Sequence, residues 1–274
     1  FLSCPLQFYF RYIAGLKEPE EITENVDLPL FGSLLHKALE LIYKPYVGQE
    51  VSEELLKKLA KDNQHLNQVI EEAFRKEYFT GIPNDKPLNL TGKNILIREI
   101  LHRYIRQLLK VDQKFTPFMV KSLENTYSTQ VEFVVEGEPK QITFKGIIDR
   151  LDENGEGMRV IDYKTGKSEQ TMKSVESLFT TTGNHKALQA LLYSKMYADN
   201  EGNGREIIPG LYFIRDLFVS NFKYGLKMGR EQITYQLVEE EFEQHLKSTL
   251  KDLFDPSQDF YQTEDEDICR NCPY

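Results

Sequence analysis

Two short segments hold most of the residues that could do chemistry together. One is Gly146-Ile147-Ile148-Asp149-Arg150; the other is Ile161-Asp162-Tyr163-Lys164-Thr165-Gly166. Both lie in apolar/polar alternation of period two, and the polar turn 154–157 separates them, so they read as adjacent antiparallel strands with an acid at matching ends. Two close carboxylates repel unless a cation lies between them. Hard oxygen ligands in a partly open site suit Mg²⁺ or Mn²⁺. Lys164 stands two residues beyond Asp162, and alternate strand residues share a side, so its ammonium should join the carboxylates. A metal to activate water and a fixed cation beside the phosphate are the parts that phosphodiester hydrolysis needs. The plain alternative is that Asp-x-Lys recurs by chance and Asp149 pairs with Arg150 or Lys164 as a surface ion pair of little energetic weight.

Other elements must bring partners to this pair. Leu34, Leu35, Ala38, Leu39 and Ile42 have helical spacing over 32–46, which puts His36 on the polar side, with Pro45 and Gly48 ending the helix. A helix over 185–198 carries Gln189 and Tyr193 four apart, on one face. Taken singly, the histidine and the Gln/Tyr pair are ordinary helix-surface residues.

The remaining chain reads as helices, sheet, helix, strand, helix. Residues 1–16 form a short amphipathic helix and 17–29 an acidic loop. Ser52 caps a helical stretch within 51–116, a Gly/Pro/Asn-rich loop covers 81–93, and a long helix spans 93–114. That helix carries Arg98, His102, Arg106 and Lys110 at steps of four, a basic stripe suited to a phosphate backbone or to plain solvation. Strands around 131–135, 142–148 and 158–162 make a three-stranded meander. A strand follows at 207–214, another at 231–237, and a helix at 239–253. The expected division is 1–116, the helices bearing His36 with a helical insertion, and 117–274, an α/β catalytic core with a cysteine-bearing tail.

Composition sets limits. The chain has 274 residues, 40% hydrophobic and 12% aromatic, enough for a core, and no low-complexity segment. No apolar run reaches the ~20 residues of a membrane span, and no signal-peptide pattern opens the chain, so a cytoplasmic location is expected. The formal net charge of −9 opposes a nucleic-acid partner only on average, since binding depends on a local patch. No Gly-x-x-x-x-Gly-Lys-Ser/Thr loop occurs, so no ATP-driven motor is visible. Beginning without Met and ending at Tyr274, the sequence is expected to be an excised part of a longer protein. The three cysteines are Cys4, Cys269 and Cys272; the last two form a Cys-x-x-Cys pair suited to metal or cluster binding, unless all three are simply reduced thiols.

In order along the chain, Gly32…His36, Gly146…Asp149, Asp162-Tyr163-Lys164 with Thr165-Gly166, Gln189…Tyr193 and the terminal cysteines resemble the RecB-like branch of the PD-(D/E)XK nuclease superfamily. The resemblance implies a restriction-endonuclease-like core, a central mixed sheet flanked by helices, and Mg²⁺- or Mn²⁺-dependent DNA cleavage. It implies that His36, Asp149, Asp162 and the main-chain carbonyl of Tyr163 bind the metal and that Lys164 orients or activates water. Gln189 and Tyr193 would support the lysine and contact DNA. Asp rather than Glu at position 162 is allowed by the family. The two ends of the chain resemble those of AddB-type helicase–nuclease proteins, where four cysteines hold a [4Fe–4S] cluster; this chain supplies three, so the cluster is expected in the intact protein. That implies an exonuclease module, a helicase–nuclease partner subunit and DNA as substrate. The alternatives are a CRISPR-adaptation nuclease, an inactive binding module of the same fold, and a zinc-stabilised structural module.

Overall fold

The structure, a computed structural model, describes residues 1–17, 28–79, 81, 83, 86, 88–202, 204–270 and 272–274. The loop expected over 17–29 lies outside the described residues except at its ends, and that over 81–93 is described in part. In chain order the elements are α1 Pro5–Phe8, which runs on into a π-turn; α2 Leu28–Tyr43; β1 Glu50–Val51; α3 Glu53–Lys61; α4 Asn63–Glu77; α5 Lys93–Asp112; β2 Phe118–Val135; β3 Glu138–Asn154; β4 Gly157–Lys164; β5 Thr171–Met172; α6 His185–Glu201; β6 Ile207–Phe213; β7 Lys227–Met228; β8 Glu231–Gln232; α7 Tyr235–Phe254; and α8 Glu266–Arg270. Ser52 caps α3 by accepting from Leu55 N at 3.2 Å, as its type and position predict.

The main sheet has the order β1-β2-β3-β4-β6, antiparallel except for the parallel pair β4/β6. The chain is therefore mixed α/β, a curled five-stranded sheet between helices, in keeping with a restriction-endonuclease-like core. The expected meander is β2-β3-β4, and β2 begins thirteen residues earlier than its clearest alternation, at Phe118 rather than 131. The strand expected over 231–237 is only Glu231–Gln232, in a small second sheet of order β5-β7-β8. The helix after it starts at Tyr235 rather than 239, because Thr234 holds the extended backbone of an N-cap and Tyr235, Val238 and Phe242 supply its buried face.

The main sheet is covered on both sides. Ile161, Tyr163, Ile208 and Tyr212 pack with the buried faces of α2 to α5. Val160, Ile207, Leu211 and Phe213 pack with α6 and α7. Both β4 and β6 are accordingly almost wholly buried, as a parallel pair covered on both faces requires. The helices before residue 117 thus share one apolar cluster with the sheet.

Between α5 and the sheet lies a buried charge network. Arg150, Asp112, Asp152 and Arg159 are each 0% exposed. Asp112 accepts from Arg150 Nη1 at 2.8 Å and Nη2 at 3.2 Å, from Tyr212 at 2.8 Å, and from the Tyr43 hydroxyl. Arg150 also lies over the rings of Tyr43 and Tyr163. Arg150 is therefore not the surface partner of Asp149: its side chain turns into the core beneath α2 and α5. Among the described residues, no helix is long and apolar enough to cross a membrane.

Candidate active site

Two tight turns set the register that assembles the site. Glu136 and Gly137 have φ of 50° and 85°, the left-handed pair that a two-residue hairpin turn demands. Val135 faces Glu138 across this turn, and eleven residues further along each strand come Glu124 and Asp149. The turn at Gly155-Glu156 pairs Asn154 with Gly157, and continuing that register past Arg150↔Ile161 sets Asp149 beside Asp162. Glu124, Asp149 and Asp162 thus stand in a row across β2, β3 and β4. Glu124 itself has φ of 45°, strained for a residue with a side chain; such strain is held only where surrounding structure enforces it, often at functional sites.

His36 comes down on this row from α2. Its buried neighbours Leu34, Leu35, Ala38 and Leu39 fix that helix to the sheet. Nε2–H donates to the Tyr163 carbonyl at 3.0 Å, while Nδ1 lies 3.5 Å from Asp149 Oδ1 and 3.8 Å from Glu124 Oε1. Asp149 Oδ2 accepts from the Tyr163 backbone N–H at 2.7 Å. On the other side, Lys164 Nζ lies 2.7 Å from Asp162 Oδ2 and donates to Gln189 Oε1 at 2.7 Å. Gln189 Nε2 donates to the Tyr193 hydroxyl at 2.8 Å. Gly146 is needed here by space: a Cβ at that position would sit 2.6 Å from Tyr193 Cε1, so the bare backbone makes room for the ring.

The electrostatics are those of crowded acid groups. Burial and the charge of Asp149 push Asp162 up to about 6, against the opposing pull of Lys164. Burial and Asp149 likewise push Glu124 up to about 7. Burial alone would lower His36, but the bond to Asp149, the charges of Asp149 and Glu124 and the Tyr163 carbonyl outweigh it and raise it to about 9. The imidazolium is thus the cation that answers the carboxylates.

Among the described residues, His36, Glu124 and Asp149 are the one trio whose ligand atoms all lie within 4.8 Å of one another. The sequence points to His36 and Asp149 but not to Glu124. Asp162 stands next in the row, turned to Lys164. Three carboxylates, one imidazole and a main-chain carbonyl form a hard donor set of the kind that takes Mg²⁺ or Mn²⁺, so these residues fit a divalent cation.

The basic stripe of α5 is uneven. Arg98 pairs with Glu99 at 2.9 Å. Burial and Arg106 lower the pKa of His102, which leaves it neutral near pH 7. Arg106 and Lys110 belong to a groove shared with α3.

The ends of the chain meet. Leu6 N donates to Tyr261 O at 3.0 Å, Phe8 and Tyr9 pack on Phe260, and the Tyr274 hydroxyl donates to Leu16 O at 3.3 Å. Cys4, Cys269 and Cys272 line one pocket of about 210 Å³. Their sulfurs do not converge to the single-ion spacing seen at His36.

A family model of the PD-(D/E)XK nuclease superfamily matches residues 1–274. The chain is 29% identical over 239 residues to an ATP-dependent helicase/deoxyribonuclease subunit of Carboxydothermus hydrogenoformans, covering 78% of this chain and 19% of that protein. The protein of the same name from Ruminiclostridium cellulolyticum is 24% identical over 234 residues, 78% of this chain and 18% of the relative. The Clostridium tetani protein of that name is 24% identical over 186 residues, 64% of this chain and 15% of the relative. The chain spans less than a fifth of the length of each.

Proposed function

Because the chain belongs to the PD-(D/E)XK nuclease superfamily, we propose that it is a Mg²⁺- or Mn²⁺-dependent deoxyribonuclease module, the exonuclease part of a helicase–nuclease that works with a partner subunit in the cytoplasm. The observation that carries this reading is the acidic row Glu124–Asp149–Asp162 with His36 at one end and Lys164 at the other. Asp149, Asp162, His36 and the Tyr163 carbonyl would hold the cation, with Glu124 as a further oxygen ligand. A bound divalent ion supplies a nucleophilic water at neutral pH and stabilises charge on the phosphate.

The chain's own groups do the rest. Lys164, braced by Asp162 and Gln189, fixes the attacking water and faces the phosphate oxygens with a positive charge. Water would attack phosphorus and give up one proton to solvent, the P–O bond to one sugar would break, and the leaving oxygen would take a proton from solvent. Tyr193, held on Gly146 and bonded to Gln189, keeps that brace in place and offers a ring beside the DNA. The α5 stripe of Arg98, His102, Arg106 and Lys110 lies along the backbone, with Arg106 and Lys110 its effective charges at neutral pH.

Cys4, Cys269 and Cys272 are three ligands of a [4Fe–4S] cluster, which needs a fourth ligand besides these three cysteines. What supports this reading is that the three cysteines, from opposite ends of the chain, line one pocket.

The test is hydrolysis of linear single- and double-stranded DNA with Mg²⁺, Mn²⁺ or EDTA. Metal-dependent cleavage that Asp149→Asn abolishes is the expected result; no cleavage by parent protein under any of these conditions overturns the reading.

A further inference from the structure

A second charged site lies apart from the acidic row. Helix α3 presents Lys57 with Ala60 and Lys61, three and four residues on from it, and α5 presents Arg106 and Lys110 four apart, with Gln113 just past its end. These two faces form an open groove of about 600 Å³, closed at one side by Asn63, the first residue of α4. Ala60 is buried and, having only a methyl group, leaves the space between the cations open.

No carboxylate lines this groove among the described residues. In a chain of net charge −9, four cations gathered on one concavity are an unfavourable local arrangement unless something negative answers them. Of the nearby acids, one caps a helix and one pairs with a groove lysine in an exposed contact of little weight. Asp62 accepts from His65 N at 2.9 Å as the cap of α4, and Glu53 holds only Lys57, in an exposed pair at 2.6 Å. Arg106 is half-buried and bonds Asn63 through Nη2, while its Nε is buried without a partner. The guanidinium lines the groove and is anchored there at Nη2, so its charge is held in place beside the lysines.

We infer that the α3/α5 groove binds the phosphodiester backbone of a DNA strand, at a site separate from the acidic row. The choice of DNA rests on the nuclease reading, while the anion chemistry stands on the groove itself. Lys57, Lys61 and Lys110 give sequence-independent charge, and Arg106 gives a directed contact. The groove sets where the strand lies and so how much DNA the protein must engage, and it needs no divalent ion.

The experiment is fluorescence anisotropy with a labelled single-stranded oligonucleotide of about thirty nucleotides, long enough for several phosphate contacts, in EDTA across a salt series. It compares parent protein with Lys57→Gln/Lys61→Gln and with Arg106→Gln/Lys110→Gln. Each pair should weaken binding about tenfold and lower the slope of log K against log salt by about 1 to 1.5. In cleavage of a short oligonucleotide both pairs should show the weaker binding as a raised KM. Parent-like affinity and slope in both pairs overturn the groove, and if the parent still cuts DNA the nuclease reading stands. If no protein cuts DNA yet both pairs weaken binding, the groove stands and the nuclease reading falls. Polyglutamate that displaces the oligonucleotide from parent as well as unlabelled DNA does, with no change of slope in the variants, assigns the groove to an acidic polypeptide and overturns the inference.

Discussion

At the scale of single residues, Lys164 and His36 make separable claims. On the proposed reading, Lys164→Ala removes the cation that would face the reacting phosphate but leaves the row of acids, so it should lower kcat by at least about 100-fold with DNA affinity within a few-fold of parent. Single-turnover cleavage with anisotropy binding checks this, and parent-like cleavage would show that Lys164 has no catalytic part. For the acidic row the sign of the pH effect follows from the raised values. Glu124 at about 7 and Asp162 at about 6 sit above their unfolded values, so their ionisation costs stability as pH rises through 5 to 7. His36 at about 9 sits above 6.5, so its charged form stabilises fully below pH 6.5 and that support is lost as pH rises through 9. Protein kept in EDTA should therefore lose thermal stability steadily from pH 5.5 to 9.5. Saturating Mn²⁺ should restore more at pH 9 than at pH 6, since it must displace the His36 proton. A Tm gap between Mn²⁺ and EDTA that does not change with pH would show that these groups do not form the cation site.

At the scale of elements, two contacts decide how helices meet the sheet. Gly146→Ala puts a methyl into the space of the Tyr193 ring, so α6 must shift and carry Gln189 away from Lys164. Cleavage should fall by tenfold or more while far-UV circular dichroism stays that of the parent, and Tyr193→Ala in the same background should recover the packing but not the brace. Unchanged cleavage in Gly146→Ala would mean that the ring position is unimportant. Asp112 ties α5 to Tyr43 of α2, to Arg150 of β3 and to Tyr212 of β6. Asp112→Ala leaves the fully buried Arg150 without its two-pronged partner, and removal of one side of such a pair costs about 3–5 kcal/mol. Urea unfolding should show that loss. Tyr43 is two helical turns from His36 on α2, so Asp112→Asn should also weaken metal binding while keeping most of the fold. A loss below 1 kcal/mol in Asp112→Ala would remove the network from the account of stability.

At the scale of the whole molecule, the contact of Leu6 with Tyr261 and of the N-terminal aromatic residues with Phe260 and Tyr274 closes the chain on itself. A cluster bound there would fix a loop of almost the entire chain, and binding only to the folded form stabilises that form. A version of the chain extended to supply a fourth cysteine, purified without oxygen, should be brown and hold about four irons per chain. Cys4→Ser in it should lose iron and lower Tm, while Mg²⁺-dependent cleavage by folded protein should persist at low temperature. Colourless, iron-free protein from that preparation would defeat the cluster and leave the acidic row untouched.

What the sequence determined by itself was local. Period-two alternation and the two polar turns gave the β2-β3-β4 meander, and with it the adjacency of Asp149, Asp162 and Lys164, because a tight turn fixes hairpin register residue by residue. Helical spacing gave α2, α5 and α6 and the side on which His36 lies. Glu124 was within reach of the same counting: eleven residues back from Val135, the last residue before the Glu136-Gly137 turn, lies the position opposite Asp149. It was missed because the half-polar stretch Ser122-Leu123-Glu124-Asn125-Thr126 does not alternate, its backbone turning left-handed at Glu124. Tertiary structure alone decided the rest. Whether Arg150 served Asp149 or the core depended on a buried Asp112 thirty-eight residues away. Whether the α5 stripe was continuous depended on Glu99 beside Arg98 and on how deeply His102 is buried, and the groove needed α3 laid against α5. These are contacts between elements distant in sequence, set by packing and by the need to pair buried charge, and no single segment's pattern encodes them.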